Sequence, residues 1–228
     1  MMIGTLVNTA AILAGSVLGS IFKKGLKEKY QTALFTAIGL AATLLGINAA
    51  VTHMKDSSFP VLFIISLAAG SLIGTALDID GGFQKLVGRF STSNLGQGLS
   101  TGILLFCIGT LSILGPIESA IHGNHTYLYM NATLDLVTSM VLASTYGIGI
   151  ALTAVVLFLW QGAIYMSADY LAPFLTAPLL TEISIVGGVL IASSGLSILK
   201  IIDAKTLNML PALLVPVIWF LLKGLFGL

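Results

Sequence analysis

The stretch LVTSMVLASTYGIGIALTAVVLFLWQGAIYMSA, Leu136–Ala168, runs for 33 residues without a charged side chain. A hydrocarbon core of ~30 Å is crossed by about 20 apolar residues in a helix, within a range of ~17–25. The stretch is too long for one crossing and holds two. Its joint falls at Tyr146-Gly147-Ile148-Gly149, where two glycines weaken the helix and let the backbone turn. Outward from it lie six further charge-free intervals, 1–22, 30–52, 57–77, 90–117, 183–199 and 206–222, each sized for one helix. The expected spans are near 3–22, 33–52, 59–77, 99–117, 132–145, 148–166, 183–200 and 208–226. Helix is the expected form because lipid offers no partner to backbone groups and these runs lack the alternation of a barrel strand. The fifth span, 132–145, is short, which points to a broken or tilted helix among the others.

Composition agrees. Hydrophobic residues make up 57% of the chain and charged residues 8%, against roughly a quarter charged in a soluble domain. So few charges cannot cover a soluble surface. The fold class is therefore an all-α membrane protein of about eight transmembrane helices, with residues 1–228 forming one transmembrane domain in the lipid bilayer. The N-terminus, Met1-Met2-Ile3-Gly4-Thr5, has no basic region ahead of its apolar run and reads as the first span rather than a cleaved signal. A net charge of +1 gives no footprint for nucleic acid. The single cysteine, Cys107, lies within a span and excludes a disulfide framework.

Lysine and arginine set the orientation. Lys23, Lys24, Lys27 and Lys29 follow the first helix, Lys85 and Arg89 the third, and Lys200 and Lys205 the seventh. With eight crossings these loops share one side, the cytoplasm of a prokaryotic inner membrane. The opposite loops hold only Lys55, while Lys223 can snorkel to the outer interface. A rival arrangement makes 132–145 a re-entrant hairpin; it would put Lys200 and Lys205 outside, and the lysine bias disfavours it.

Glycine spacing suggests an internal repeat. Gly15 is followed 24 residues later by Gly39 and after seven more by Gly46; Gly162 is followed 26 residues later by Gly188 and after seven more by Gly195. Helices one to three (about 3–77) thus resemble helices six to eight (about 147–227), with connecting helices over about 98–145. Under the orientation above the repeat is inverted, an architecture common among secondary transporters.

Asp135 is the one acid placed inside a span, and an intramembrane carboxylate, costing roughly 2.5–3.5 kcal/mol on insertion scales, is usually functional. The bland alternative puts it in the first turns of a helix, near water. Thr138 and Ser139 share its helical face at the i+3 and i+4 spacing, and Asn131 precedes it. Asn8 and Gln161 are the strongest of the other polar groups in spans, since a primary amide has several hydrogen-bonding positions to satisfy. They line a solute site or join helices. Gly115-Pro116 is expected to end or kink the fourth helix, and Gly147 and Gly149 to break the chain after the fifth. The motifs Ala14-Gly15-Ser16-Val17-Leu18-Gly19 and Ala69-Gly70-Ser71-Leu72-Ile73-Gly74 each carry the small-xxx-small spacing of close helix contacts, within the chain or across a homodimer. His122 and His125 sit in a loop without an evident third ligand, so no metal site is expected. The absence of a nucleophile–base pair, a phosphate loop or an H-E-x-x-H motif gives no enzyme and no cofactor.

Taken in order, Gly4-Thr5 with Asn8 and Gly15, Gly115-Pro116-Ile117, Leu134-Asp135 with Ser139, Gly147-x-Gly149, Gln161-Gly162, Gly187-Gly188 with Gly195, and Asn208-x-x-Pro211 form a set that spans essentially the whole chain. That set resembles the prokaryotic membrane family called domain of unknown function 554, the YqgA- and YdfK-like proteins. The family pattern commonly places a lysine a few residues before Leu-Asp, where this chain has Asn131; the departure removes an ion partner for Asp135. The resemblance implies a transporter of unknown substrate. The expectation is a secondary transporter of a small polar solute or ion, coupled to a cation or proton through Asp135. A channel and a membrane module that binds a protein or lipid are the alternatives.

Overall fold

A computed structural model describes residues 2–23, 28–88, 95–107 and 110–226. Lys24, Lys27 and Arg89 lie outside the described residues. Every regular element among the described residues is helical: α1 (Ile3–Lys23), α2 (Glu28–Met54), α3 (Leu62–Ala76), α4 (Ile79–Gly88), α5 (Leu95–Cys107), α6 (Thr110–Ile121), α7 (Thr126–Tyr146), α8 (Leu152–Met166), α9 (Ala168–Leu171), α10 (Ala177–Ile198) and α11 (Leu214–Phe226). Short 3-10 segments at Ile148–Ala151 and Thr206–Leu213 lead into α8 and α11.

Four helical stretches, Ile3–Phe22, Ile148–Met166, Ala177–Ile198 and Thr206–Gly224, are long and apolar enough to cross a membrane. A fifth candidate is the pair α5 and α6, whose axes differ by 47°. α7 has 21 residues, about 31 Å at ~1.5 Å per residue. It is long enough for the ~30 Å core although more polar than the others.

The expected boundaries shift in two places. The helix expected at 132–145 starts at Thr126 and runs unbroken to Tyr146, so it is neither short nor broken. Of the end or kink expected at Gly115-Pro116, the end does not occur: α6 continues through Pro116 to Ile121. Pro116 is the seventh residue of α6, so the helix carries the loss of the N–H that would bond the Ser112 carbonyl. The joint after α7 does fall at glycine. Gly147 takes φ 90°, which suits a residue without Cβ, and it ends α7 before the 3-10 turn that holds Gly149.

The chain forms two compact units. The first comprises residues 1–38 and 90–173, the second 39–89 and 174–228. In the first, a Cβ on Gly4 would meet Leu128, one on Gly15 would meet Ser139, and one on Gly19 would meet Met140 and Ala143. Residue numbers rise together, so α1 and α7 run parallel with their backbones close. Gly162 faces Met2 while the 3-10 turn at Ile148–Ala151 also packs on α1, which places α8 antiparallel to α1.

In the second unit, Gly39 faces Gly195 and Leu199, and Gly46 faces Gly188 and Ala192. Here numbers fall as others rise, and the second half of α2 crosses α10 antiparallel. Gly70 and Gly74 of α3 meet Ala212 and Asn208 of the 3-10 segment that precedes α11, also antiparallel. Both small-xxx-small motifs are thus engaged inside the chain. Pro211 lies in that 3-10 segment and Pro216 in the first turn of α11.

Candidate functional site

The helix contacts of the first unit bring polar side chains together well inside it. Asp135 sits in the middle of α7 and is 4% exposed. That position excludes the helix-start reading, in which water and the helix N-terminus would stabilise it. Burying a carboxylate is costly unless hydrogen bonds or a counter-charge compensate. One bond comes from its own helix: the Asn131 amide nitrogen donates to Asp135 Oδ2 at 2.9 Å. The second neighbour comes from α1, where the Asn8 side chain faces the carboxyl. Asn8 is fully buried, and apart from this approach to Asp135 its amide has no partner. Cys107, at the end of α5, is close enough for the Asp135 charge to act on its thiol. No basic side chain is paired with the carboxylate among the described residues.

One turn from Asn8 on the same face of α1, Thr5 is fully buried and its hydroxyl has no partner. Gln161 of α8 is fully buried too; its Nε2 donates to Ser112 Oγ of α6 at 3.1 Å, and its Oε1 has no partner. Two sets of buried polar groups result, Thr5, Asn8, Asn131 and Asp135 on α1 and α7, and Ser112 with Gln161 across α6 and α8, which together are the polar seam of this unit. Each unpartnered buried polar group costs roughly 1–3 kcal/mol, so the seam lowers stability as it stands.

Two expected members differ. Ser139 is buried, but its hydroxyl donates to the Leu136 carbonyl at 3.0 Å and its side chain meets Gly15. It serves the α1–α7 contact. Thr138 is half-buried, on the border of that face. Of the expected break residues, Gly147 ends α7, Gly149 lies against Leu95, and Gly115 lies against Leu128. His122 and His125 have separate partners: His122 Nδ1 bonds Glu118 at 3.1 Å and His125 Nδ1 bonds Ser119 at 2.7 Å.

The match to known proteins covers the elements that build this seam. The chain belongs to the family described as "Protein of unknown function (DUF554)", which matches residues 3–221. It is 56% identical to "Uncharacterized membrane protein YdfK" of Bacillus subtilis (strain 168), covering 100% of this chain and 99% of that protein. It is 28% identical to "Uncharacterized protein YqgA" of Escherichia coli (strain K12), covering 94% of each. No solved structure matches. As a DUF554 protein with apolar helices of spanning length, the chain is a helical membrane protein.

One buried acid of this DUF554 chain escaped the sequence reading. Glu182 is 1% exposed and lies in α10 of the second unit. Its Oε1 accepts from Ser57 Oγ at 2.7 Å and from the Phe59 backbone N–H at 3.2 Å, fixing the turn before α3. The expected start of that helix at 183 left Glu182 in a loop. The earlier start was signalled by Thr176-Ala177-Pro178, since Thr176 caps the helix by accepting from Leu179 N and proline follows in the first turn. A cavity of about 460 Å³ in the same unit, lined by Phe59, Pro60, Ile65, Val215, Trp219 and their neighbours, is apolar and separate from the polar seam.

Proposed function

We propose that the protein is a secondary transporter of a small polar solute or ion in the bacterial cytoplasmic membrane, with Asp135, Asn8, Asn131 and Gln161 at its binding site. One observation carries the reading. Among the described residues, the buried side-chain atoms without a hydrogen-bond partner lie in the first unit, and Thr5, Asn8 and Gln161 supply most of them around the helix that holds Asp135. A site that must take up and release a solute keeps such groups available. A seam that merely joined helices would pair them with one another.

Helix directions support eight crossings. α1 and α7 run parallel while α8 opposes α1, and in the second unit the helix pairs oppose one another; eight alternating spans require these relations. A re-entrant hairpin at 132–145 would make α8 parallel to α1. The glycine contacts also fit an inverted repeat. If Gly39 corresponds to Gly188 and Gly46 to Gly195, exchanging the halves turns the contact of Gly39 with Gly195 into that of Gly188 with Gly46, and both are present. Cysteines introduced in a Cys107→Ala background at positions 26 and 202 are then labelled only from the cytoplasm, and one at 172 only from outside; cytoplasmic labelling at 172 overturns the eight-span topology.

The reading is non-enzymatic and includes a homodimer, which native mass spectrometry from nanodiscs checks: a monomeric mass removes it. The deciding experiment for function is uptake into proteoliposomes. Saturable accumulation driven by an ion gradient supports a transporter, and single-channel current in its place identifies a channel.

A further inference from the structure

We propose that the apolar groove between α3 and α11 in the second unit holds an acyl chain of an anionic phospholipid, with the lipid phosphate at Lys223. The proposal is independent of the polar seam and of the transport reading.

Helix register gives the groove its shape. α3 runs antiparallel to the segment before α11, with Gly74 at Asn208 and Gly70 at Ala212. Carried onward, that pairing brings the start of α3 beside the last turns of α11, where Phe59 meets Trp219 and Phe220 edge-on with ring centroids 5.5 and 5.7 Å apart. Glycine lets the backbones touch at one end, and bulky rings hold them apart at the other. The gap is the cavity of about 460 Å³, within the ~300–1,000 Å³ of ligand pockets. Val215, Ile218, Trp219 and Leu222 line it from α11, the i, i+3, i+4, i+7 face of a helix. The groove therefore follows α11 for seven residues, about 10 Å at ~1.5 Å per residue. Leu62 and Ile65 line the opposite wall. A long apolar slot suits a hydrocarbon chain and offers a polar solute few partners.

One end of the slot supplies the headgroup site. Lys223 is the penultimate residue of the spanning stretch Thr206–Gly224, and its amine lies 5.0 Å from the centroid of the Phe59 ring. It is half-buried and has no acid within ion-pair distance among the described residues. The chain just before Phe59, Lys55-Asp56-Ser57-Ser58, is polar, and Trp219 stands one turn from Lys223. Lysine and tryptophan at the end of a span mark the level of the lipid headgroups, where a lysine stem lies on apolar surface and its amine reaches the boundary. An ammonium without a counter-charge at the mouth of an apolar slot selects an amphipath with an anionic head, since lysine binds phosphate as a point charge. A zwitterionic head carries its own cation beside the phosphate and gains less from Lys223.

Trp219 reports on the groove directly. The other tryptophan of the chain is Trp160, on α8 of the first unit, so a Trp160→Phe chain fluoresces from Trp219 alone. The purified full chain in mild detergent is titrated with phosphatidylglycerol brominated on its acyl chains, which quenches a tryptophan it touches. The expected result is saturable quenching, reversed by unbrominated phosphatidylglycerol at a concentration tenfold or more below that needed of phosphatidylcholine with the same chains. Lys223→Gln removes the difference between the two lipids, and Lys223→Arg, which keeps the charge, retains it. Lys85→Gln, at an exposed lysine of α4, leaves it unchanged. Equal displacement by the two lipids in the parent overturns the proposal, as does a preference that survives Lys223→Gln. Quenching that grows with lipid without saturating overturns the groove as a site. Quenching that appears only when a dimer is dissociated to monomers gives the groove to a second copy of the chain and overturns the lipid.

Discussion

Both units bury an acid, an asparagine and threonine hydroxyls, yet they use them differently. In the second unit Glu182 accepts from Ser57 and Phe59, Asn208 Oδ1 accepts from the Asp80 N–H at 2.8 Å at the start of α4, and Thr206 donates to the Ala204 carbonyl at 3.2 Å. Each holds a turn or helix in place. In the first unit Thr5 and one end of Gln161 hold nothing, and Asp135 is met only by the neutral amides of Asn131 and Asn8. A buried polar group in a membrane protein is thus not in itself the mark of a site. Burial without a partner is, because the fold gains nothing from it and loses stability by it.

The comparison breaks most easily at Glu182. Glu182→Leu takes the carboxylate acceptor from the half-buried Ser57 hydroxyl and from the Phe59 N–H, which keeps Ser57 Oγ at 3.1 Å, and at roughly 1–3 kcal/mol for a lost partner the expected loss is about 3 kcal/mol. Glu182→Gln keeps an acceptor oxygen and loses less than half of that. Chemical unfolding in mixed micelles measures both. Wild-type stability for Glu182→Leu would show that this carboxylate is not structural, and the contrast between the units would vanish.

Glycine contacts give the next effect, and here the units should behave alike. A side chain at Gly15 meets the α7 backbone at Leu136, and one at Gly70 meets the backbone of Ala212. Gly15→Leu and Gly70→Leu force helices apart, at about 3 kcal/mol each on the scale of overpacked cores. Gly82, which faces open space within α4, is the control: Gly82→Ala gains up to ~1 kcal/mol from helix propensity. A tolerated Gly15→Leu would mean that α1 and α7 are not in close contact, and the seam would lose its geometry.

How much of this the sequence carried depended on what kind of signal each feature leaves. Charge-free runs located the helices because the bilayer forbids unpaired backbone and charge, and Gly147 with Gly149 marked the joint because two close glycines weaken a helix. Span ends were read less well wherever a helix extends beyond its apolar part: α7 begins six residues earlier than expected, at Thr126, and α10 begins before Glu182. Those two extensions changed the meaning of both buried acids, moving Asp135 from a helix start to a helix middle and Glu182 from a loop into a core. Asn8, Asn131 and Gln161 were legible as costly polar groups within spans. Which of them lacked partners was not, since pairing across helices depends on rotation about each axis, and a small error in register reverses which face is buried. Ser139 shows the limit: its spacing from Asp135 was right, and its hydroxyl is bonded to its own helix.

The smallest effect on stability is expected at Asp135, and it is the sharpest statement of the contrast. Asp135→Asn keeps the size of the side chain and keeps an oxygen to accept from the Asn131 amide. The helix macrodipole acts within the first turn, and Asp135 stands in the middle of α7, so no favourable terminal electrostatics are lost. What is removed is a buried charge with no counter-charge, which in salt-free or choline buffer should leave unfolding within about 0.5 kcal/mol of the parent or shift it upward, because desolvation disfavours the ionised form. The same substitution should abolish ion-dependent uptake, since the neutral amide no longer takes up a coupling cation or proton. Glu182→Gln, by contrast, should lower stability measurably and leave ion-dependent uptake in place. An Asp135→Asn protein that unfolds several kcal/mol early while retaining uptake would make Asp135 the counterpart of Glu182, a structural acid, and would move the search for a site away from the first unit.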